Sequence, residues 1–229
     1  MNLQPQFDAV RARIAAACRA AGRQASEVAL LAVSKTHPAS AVRAALACGQ
    51  VEFGENRIQE LLPKSLELVD TAARWHMIGS IQTNKVRDLL DVERLTLVHS
   101  LDRERLADAL QARLAQGPRR EPLRCLIEAN VSGDASKHGI APAAAGALSD
   151  HVARACPALT IEGVMAMGPL EGDPRAAFAA AAALRRELEQ RAGRPLPVLS
   201  LGMSGDLEAA VTAGSTLVRI GTSLFGERT

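Results

Sequence analysis

Short apolar runs alternate along the chain with longer alanine- and leucine-rich segments, in which apolar residues recur at the spacing of one helix face. Eight of the short runs have the length and composition of buried strands, and they begin at Ala29, Val51, Arg74, Leu95, Leu123, Leu159, Pro197 and Ser215. Because a helical segment separates each run from the next, the pattern predicts parallel strands joined by helical crossovers.

The predicted fold class is α/β, a single (β/α)8 TIM barrel with an additional N-terminal helix. The chain has 229 residues, which is close to the roughly 250 residues typical of this barrel. An open doubly wound sheet has the same alternation of strands and helices, but eight strands in 229 residues favour a closed barrel. No linker rich in Pro, Gly or Ser divides the sequence, so we expect one domain over residues 1–229.

Composition narrows the functional classes. Apolar residues make up 48% of the chain and the formal net charge is only +2, with the arginines spread along it, so the sequence gives little support for binding nucleic acid. The N-terminal segment is interrupted by Arg11, Arg13 and Arg19, unlike a membrane span or a signal peptide. Four cysteines stand far apart without a CxxC pair, which favours a reducing, cytoplasmic compartment.

Lys35 is the first candidate for chemistry. In the run that begins at Ala29, strand alternation places Leu31, Val33 and Lys35 on one face and ends it with an amine at the mouth of the strand. The loops at the C-terminal ends of barrel strands build the active site, and a desolvated lysine amine attacks carbonyl groups. The alternative is a solvated lysine at a strand end.

Two turns near the end of the chain are candidates for a phosphate site. Met203–Asp206 and Gly221–Ser223 each follow one of the last two strands, where barrel enzymes often bind phosphate. Backbone N–H groups at such turns, with the Ser204 and Thr222 hydroxyls, are suitable donors, and Gly205 and Gly221 permit close approach. Simple chain reversal is the alternative for each turn, and Asp206 is unfavourable beside a phosphate unless its side chain points outward.

Arg219 lies two residues before Gly221 and therefore on the same strand face. From there its guanidinium can reach a ring whose phosphate is held at the turn. A structural arginine paired with a barrel carboxylate such as Glu55 is the alternative.

Long motifs that carry these residues occur in order along almost the whole chain. They are AVSKTHP at 32–38, FGENRIQE at 53–60, WHMIGSIQTNK at 75–85, IEANVSGDASKHG at 127–139, GVMAM at 163–167 and SLGMSGDLEAAVTAGSTLVRIGTSLFG at 200–226. With these motifs the sequence resembles the pyridoxal phosphate homeostasis proteins, the YggS-like group, whose fold is related to the alanine racemase barrel.

The resemblance implies that the cofactor is pyridoxal 5'-phosphate (PLP), held as a Schiff base on Lys35. It further implies that Ser204, Gly221 and Thr222 hold the phosphate, that Arg219 faces the pyridine nitrogen, and that Asn56 and Met165 lie beside the ring. Two roles stay open: His37, and Lys85, which is either a solvated lysine at a helix start or a secondary contact for an anion. His76, inside an apolar run, is expected to be a hydrogen-bonded core residue.

We expect the protein to hold or deliver PLP with little or no catalysis, and an amino-acid racemase is the alternative. Racemases of this fold use a tyrosine base opposite the lysine, supplied by a further C-terminal domain, whereas this sequence contains no tyrosine and ends at Thr229. A lysine-dependent aldolase without PLP is a third hypothesis. The expected partners are PLP and, transiently, PLP-dependent apoenzymes, with neither a nucleic acid nor a membrane, and we expect a monomer.

Overall fold

The strands observed in the computed structural model correspond to the runs expected from the sequence. They are β1 (Ala29–Val33), β2 (Glu52–Glu55), β3 (Arg74–Met77), β4 (Leu95–Leu101), β5 (Leu123–Ala129), β6 (Leu159–Ala166), β7 (Val198–Ser200) and β8 (Leu217–Ile220). All are parallel and pair in chain order, and β8 pairs with β1 to close the barrel. The predicted (β/α)8 barrel is confirmed.

The structure describes residues 2–117, 119, 121–132, 138–169 and 171–226. Residues 133–137 of the IEANVSGDASKHG motif therefore lie outside the described residues. None of the helices in these ranges combines the length and the apolar character needed to cross a bilayer.

Helices follow the strands and cover the outside of the barrel. They are α1 (Gln4–Ala20), α2 (Ala39–Ala47), α3 (Ile58–Glu67), α4 (Val86–Leu90), α5 (Glu104–Leu114), α6 (Pro142–Ala155), α7 (Arg175–Ala192), α8 (Leu207–Thr212) and α9 (Thr222–Phe225), with short 3-10 turns at Ala25–Glu27 and Thr83–Lys85. The additional N-terminal helix is α1, which packs against α8 and α9. Its Phe7 ring meets Phe225 edge-on, with ring centroids 6.4 Å apart.

Strand alternation divides the buried side chains into two sets. Val98, Cys125 and Val164 belong to the large apolar core shared with the helices, whereas their neighbours Leu97, Leu126 and Met165 form a separate small cluster. The second cluster lies inside the barrel, because these residues point to the opposite strand face. By the same alternation, the inward positions of β3, β4, β7 and β8 include polar side chains: His76, His99, Ser200 and Arg219.

The strands end earlier than the sequence suggests. β1 ends at Val33, and Lys35 lies two residues later in a turn in which Thr36 has a positive φ of 67°. The Thr36 N–H donates to the Glu60 carboxylate of α3 at 2.9 Å and not to a neighbouring strand. This hydrogen bond stabilises the left-handed conformation. Lys35 is therefore carried by a loop at the C-terminal end of its strand, which is where this fold places functional groups.

Candidate functional site

A cavity of about 330 Å³ opens at the C-terminal ends of the strands. All of the predicted site residues line it, namely Lys35, Asn56, Met165, Ser204, Gly205, Arg219, Gly221 and Thr222. His37, whose role the sequence leaves open, lines it as well, together with Met203 of the first candidate turn and Met167, which the sequence reasoning missed. Met167 is two residues beyond Met165, so strand alternation could have identified it.

A buried ion pair supports the turn that carries Lys35. Glu55, at the end of β2, is fully buried, and its Oε1 accepts from the Ser34 hydroxyl at 2.7 Å and from Lys64 Nζ at 2.5 Å. Lys64 also donates to the Ser34 carbonyl oxygen at 3.0 Å. Burial raises the pKa of Glu55, and the charge of Lys64 opposes that rise. The residue immediately before Lys35 is therefore held through both its side chain and its backbone.

Arg219 is held at the base of the cavity. Its Nη1 donates to the carbonyl oxygen and the hydroxyl of Ser200 at 2.7 and 2.8 Å, and Nη2 donates to the Ala166 carbonyl at 3.1 Å. Burial lowers the pKa of Arg219 to about 10, which leaves the guanidinium charged at neutral pH. Glu55 bonds with Lys64 and Ser34 instead, so the alternative pairing of Arg219 with Glu55 is wrong.

The turn after β7 is fixed by its backbone and by α1. Gly202 has a φ of 89°, and a Cβ there would lie 2.5 Å from the Ala210 Cβ, so both the conformation and the space require glycine. Asp206 accepts from the Met203 N–H at 2.6 Å, which ties its carboxylate to the turn. Arg13 of α1 donates to the Ser204 carbonyl at 2.6 Å, and the Ser204 and Gly205 N–H groups with the Ser204 hydroxyl are the donors of this turn toward a ligand.

The turn after β8 approaches the end of β1 closely. A Cβ on Gly221 would lie 3.2 Å from the Val33 carbonyl oxygen, so the absence of a side chain lets the two backbones meet beside the cavity. Gly221 is the N-cap of α9, and the first N–H groups of a helix have no intrahelical acceptor. Both glycine-containing turns thus combine backbone donors with a hydroxyl, from Ser204 in one case and Thr222 in the other.

His37 and Lys85 occupy different surroundings. The His37 ring packs against Phe225 with centroids 5.2 Å apart, and burial, followed by the charge of Lys64, lowers the pKa of His37. A neutral imidazole therefore forms part of the cavity wall. Lys85 lies in a neighbouring polar cavity, where its Nζ is 3.2 Å from Asp88, and Asn56 lines both cavities.

Glu128 of β5 is a buried acid near the Arg219 end of the barrel. It is 3% exposed, and its Oε2 has no hydrogen-bond partner within the described ranges. Burial and the charge of Asp102 raise the pKa of Glu128 to about 7, against the opposing charges of Arg219 and Arg103. Its folded-state pKa therefore exceeds its value in the unfolded chain.

Because its folded-state pKa is raised, Glu128 contributes stability that is fully present below its pKa in the unfolded chain. That stability is lost as pH rises through about 7. We expect Glu128→Gln to remove this pH-dependent loss, which amounts to up to about 3 kcal/mol. Urea unfolding of both proteins at about pH 5 and about pH 8.5 measures the difference. The variant should gain stability relative to the original protein as pH rises, and a constant difference between the two would contradict the assignment.

Comparisons with known proteins agree with this fold. The sequence model of the family described as "Alanine racemase, N-terminal domain" matches residues 6–229. The pyridoxal phosphate homeostasis protein of Pseudomonas aeruginosa is 48% identical over 219 residues, covering 96% of this chain and 93% of the relative. That of Vibrio cholerae is 42% identical over 235 residues, covering 99% and 97%.

Among solved structures, PipY of Synechococcus elongatus PCC7942 with PLP bound superimposes with a TM-score of 0.83 at 32% identity, covering 98% of this chain and 100% of PipY. The relatives are matched over nearly their full lengths and well above the identity at which only the fold is shared. The chain therefore belongs to the family of pyridoxal phosphate homeostasis proteins, built on the barrel of the alanine racemase N-terminal domain.

Proposed function

We propose that this protein binds PLP in the cavity at the C-terminal end of the barrel, with Lys35 holding it as a Schiff base, and that it serves intracellular PLP homeostasis. The observation that carries the proposal is the convergence of Lys35, the buried Arg219 and the two glycine-containing turns on one cavity. The PLP bound in the related PipY supports the same cofactor.

The cavity fits PLP in size and in the distribution of its polar groups. Its volume of about 330 Å³ lies within the range of small-molecule sites, about 300–1,000 Å³. In the proposed arrangement the turns at Ser204–Gly205 and Gly221–Thr222 bind the phosphate. Asn56 and Met165 lie beside the ring.

Each end of the proposed site has its own role. When bound, PLP supplies an aldehyde that reacts with amines and a ring that withdraws electrons. Arg219, held by Ser200 and Ala166, would donate to the pyridine nitrogen and keep it unprotonated, which would weaken that withdrawal. This arrangement supports storage of PLP, although racemases of the related fold tolerate it as well.

An amino-acid racemase is the second candidate, favoured by one observation. His37 lines the same cavity as Lys35, and burial lowers the pKa of His37, so a neutral base is present besides the lysine. The sequence contains no tyrosine to take the role of second base. Incubation of the PLP-loaded protein with L-alanine in deuterated water distinguishes the two functions, since a racemase incorporates deuterium at Cα and a carrier does not.

The proposal has a cellular part as well. We place the protein in the cytoplasm as a monomeric single domain over residues 1–229 that transfers PLP to PLP-dependent apoenzymes through transient contacts. The dispersed cysteines, without a CxxC pair, support a reducing compartment.

The decisive experiment adds PLP to the purified protein, records the visible Schiff-base band, reduces it with borohydride and maps the modified peptide by mass spectrometry. The sequence has only four lysines, Lys35, Lys64, Lys85 and Lys137, so the assignment is unambiguous. We expect one equivalent on Lys35. Modification spread over the other lysines, or no band at all, would refute the proposed site and favour the aldolase hypothesis.

A further inference from the structure

An uninterrupted series of hydrogen bonds crosses the barrel interior below the cavity. Arg219 Nη1 donates to Ser200 Oγ at 2.8 Å, Ser200 Oγ lies 3.2 Å from His99 Nδ1, and His99 Nε2 lies 2.9 Å from His76 Nδ1. His76 Nε2 lies 2.9 Å from Glu52 Oε2, at the start of β2. We call these five residues the interior network; it connects the N-terminal end of the barrel with the cavity. It also confirms His76 as a hydrogen-bonded core residue.

The carboxylate end of the interior network sets the direction of its hydrogen bonds when both imidazoles are neutral. An ionised carboxylate can only accept, so His76 carries its hydrogen on Nε2, donates to Glu52 and accepts at Nδ1. His99 must then carry its hydrogen on Nε2 and donate to His76, and its Nδ1 accepts from the Ser200 hydroxyl. A guanidinium can only donate, so Ser200 Oγ also accepts from Arg219. Neutral imidazoles in this network are therefore both Nε2–H tautomers.

Electrostatics favour a neutral His99. Burial lowers the pKa of His99 well below its ordinary value, and the charge of Arg219 acts in the same direction. At the other end burial works to raise the pKa of Glu52, but the hydrogen bond from His76 and the charges of Arg74 and Arg124 leave it lowered. A carboxylate acceptor and a guanidinium donor therefore terminate the series.

Each buried polar side chain of the interior network depends on its neighbours in the network for hydrogen-bond partners. The interior of such a barrel is ordinarily filled by layers of branched apolar side chains. Here His99 and Ser200 are fully buried, and among the residues that the structure describes each ring nitrogen of His99 bonds within the network. Loss of one member therefore leaves the next without a partner, which is costly in a low-dielectric interior.

We propose that Ser200, His99 and His76 are positioning residues that fix the orientation of Arg219 toward the ring of the bound cofactor. The inference rests on the proposed function, because Arg219 is the member of the network that lines the PLP cavity. Two bonds to Ser200 set the plane of the guanidinium, and the Ser200 hydroxyl keeps its orientation only while His99 accepts from it. Because hydrogen bonds couple Arg219 to His99 and His76, contact between Arg219 and a ligand ring should change the environment of both histidines.

The first test uses the protein without PLP. Nitrogen-15 NMR of the imidazole rings, assigned by single histidine replacements, reports the tautomer of each ring. We expect Nε2–H tautomers for both His76 and His99. Any other tautomer at either ring would break the hydrogen-bond direction and overturn the interior network, whether or not the protein binds PLP.

The second test adds PLP and follows the same resonances. We expect His99 and His76 to shift in the original protein, with His151 of the outer helix α6 unchanged as an internal reference. Ser200→Ala should uncouple the rings from PLP and weaken PLP binding roughly tenfold, as for loss of one hydrogen bond to a charged group. Ser65→Ala is the matched control, because Ser65 is also buried but its hydroxyl donates to the Leu62 carbonyl in α3.

The outcomes separate the two proposals. A visible Schiff-base band without a shift of His76 and His99, or Ser200→Ala protein with unchanged affinity, would overturn the positioning role and leave PLP binding intact. The absence of a band in the original protein would refute the proposed function and with it the coupling to PLP. The tautomers measured without PLP would still test the interior network.

Discussion

Protein in which Lys35 is replaced by alanine is expected to fold normally and to give no visible Schiff-base band when PLP is added. The side chain is partly exposed on a turn beyond β1, so its removal leaves the barrel core unchanged. We therefore expect the free energy of unfolding to stay within about 0.5 kcal/mol of the original value. The covalent attachment should be lost completely, because the amine that forms it is gone.

Spectroscopy and borohydride trapping check this expectation, with urea unfolding as the measure of folding. Lys85→Ala is the matched control: it removes the same functional group from the neighbouring polar cavity and should keep the band. A reducible band in the Lys35→Ala protein, mapped to one of the three remaining lysines, would move the attachment point away from Lys35. Weak reversible binding without a band is compatible with the proposal, since both phosphate turns remain.

The order of elements was predictable because the hydrophobic pattern repeats locally. Each strand is a short apolar run and each helix an amphipathic segment, so the sequence predicts the barrel without any information about distant contacts. Lys35 and the two turns followed from one rule of the fold, that the C-terminal ends of the strands meet on one face, whereas Asn56 and Met165 followed from the family resemblance. For that reason Lys35 and Thr222, separated by most of the chain, line one cavity.

The partners of buried polar groups were not predictable in this way. The sequence left open a pairing of Arg219 with Glu55, whereas Glu55 ends β2 facing α3 and bonds with Lys64. Strand alternation explains the difference: Gly54 shares the inward face with Glu52, and Glu55 points to the helices. The bond between His99 and Ser200 joins residues 101 positions apart, and no local pattern identifies such a pair.

The contribution of α1 to the site was also not evident from the sequence. Its amphipathic pattern predicts a helix but not the loop that the helix contacts. Arg13 makes two bonds to Glu208 at 2.5 and 2.6 Å and a third to the Ser204 carbonyl, so α1 fixes the turn after β7. The additional helix therefore helps to shape one of the two candidate phosphate turns.

The second large effect is expected from Lys64→Met, which removes the partner of a fully buried carboxylate. Glu55 Oε2 already lacks a hydrogen-bond partner within the described residues, and Oε1 would keep only the Ser34 hydroxyl. Breaking a buried ion pair by removing one partner costs about 3–5 kcal/mol, because the remaining charge is left uncompensated. We expect a loss of this size in urea unfolding at neutral pH.

The pH dependence of this loss identifies its cause. Burial raises the pKa of Glu55, and without Lys64 only the hydrogen bond from Ser34 opposes that rise. A raised folded-state pKa gives stability that is present at low pH and lost as pH rises, so the deficit of the Lys64→Met protein should shrink toward about pH 5. The double variant Glu55→Gln/Lys64→Met carries no buried charge at this site and should recover most of the stability. A deficit that is independent of pH, or that persists in the double variant, would assign the loss to packing.

The single variant Lys64→Met and the double variant also distinguish an effect on protein stability from an effect on the position of the Lys35 turn. Both lack the bond from Lys64 to the Ser34 carbonyl, which holds the residue next to Lys35. If that bond positions the turn, PLP should become attached to Lys35 more slowly in the double variant than in the original protein, even though its stability is largely restored. Equal rates of attachment would show that the Ser34 hydroxyl and the Thr36 bond to Glu60 suffice to hold the turn.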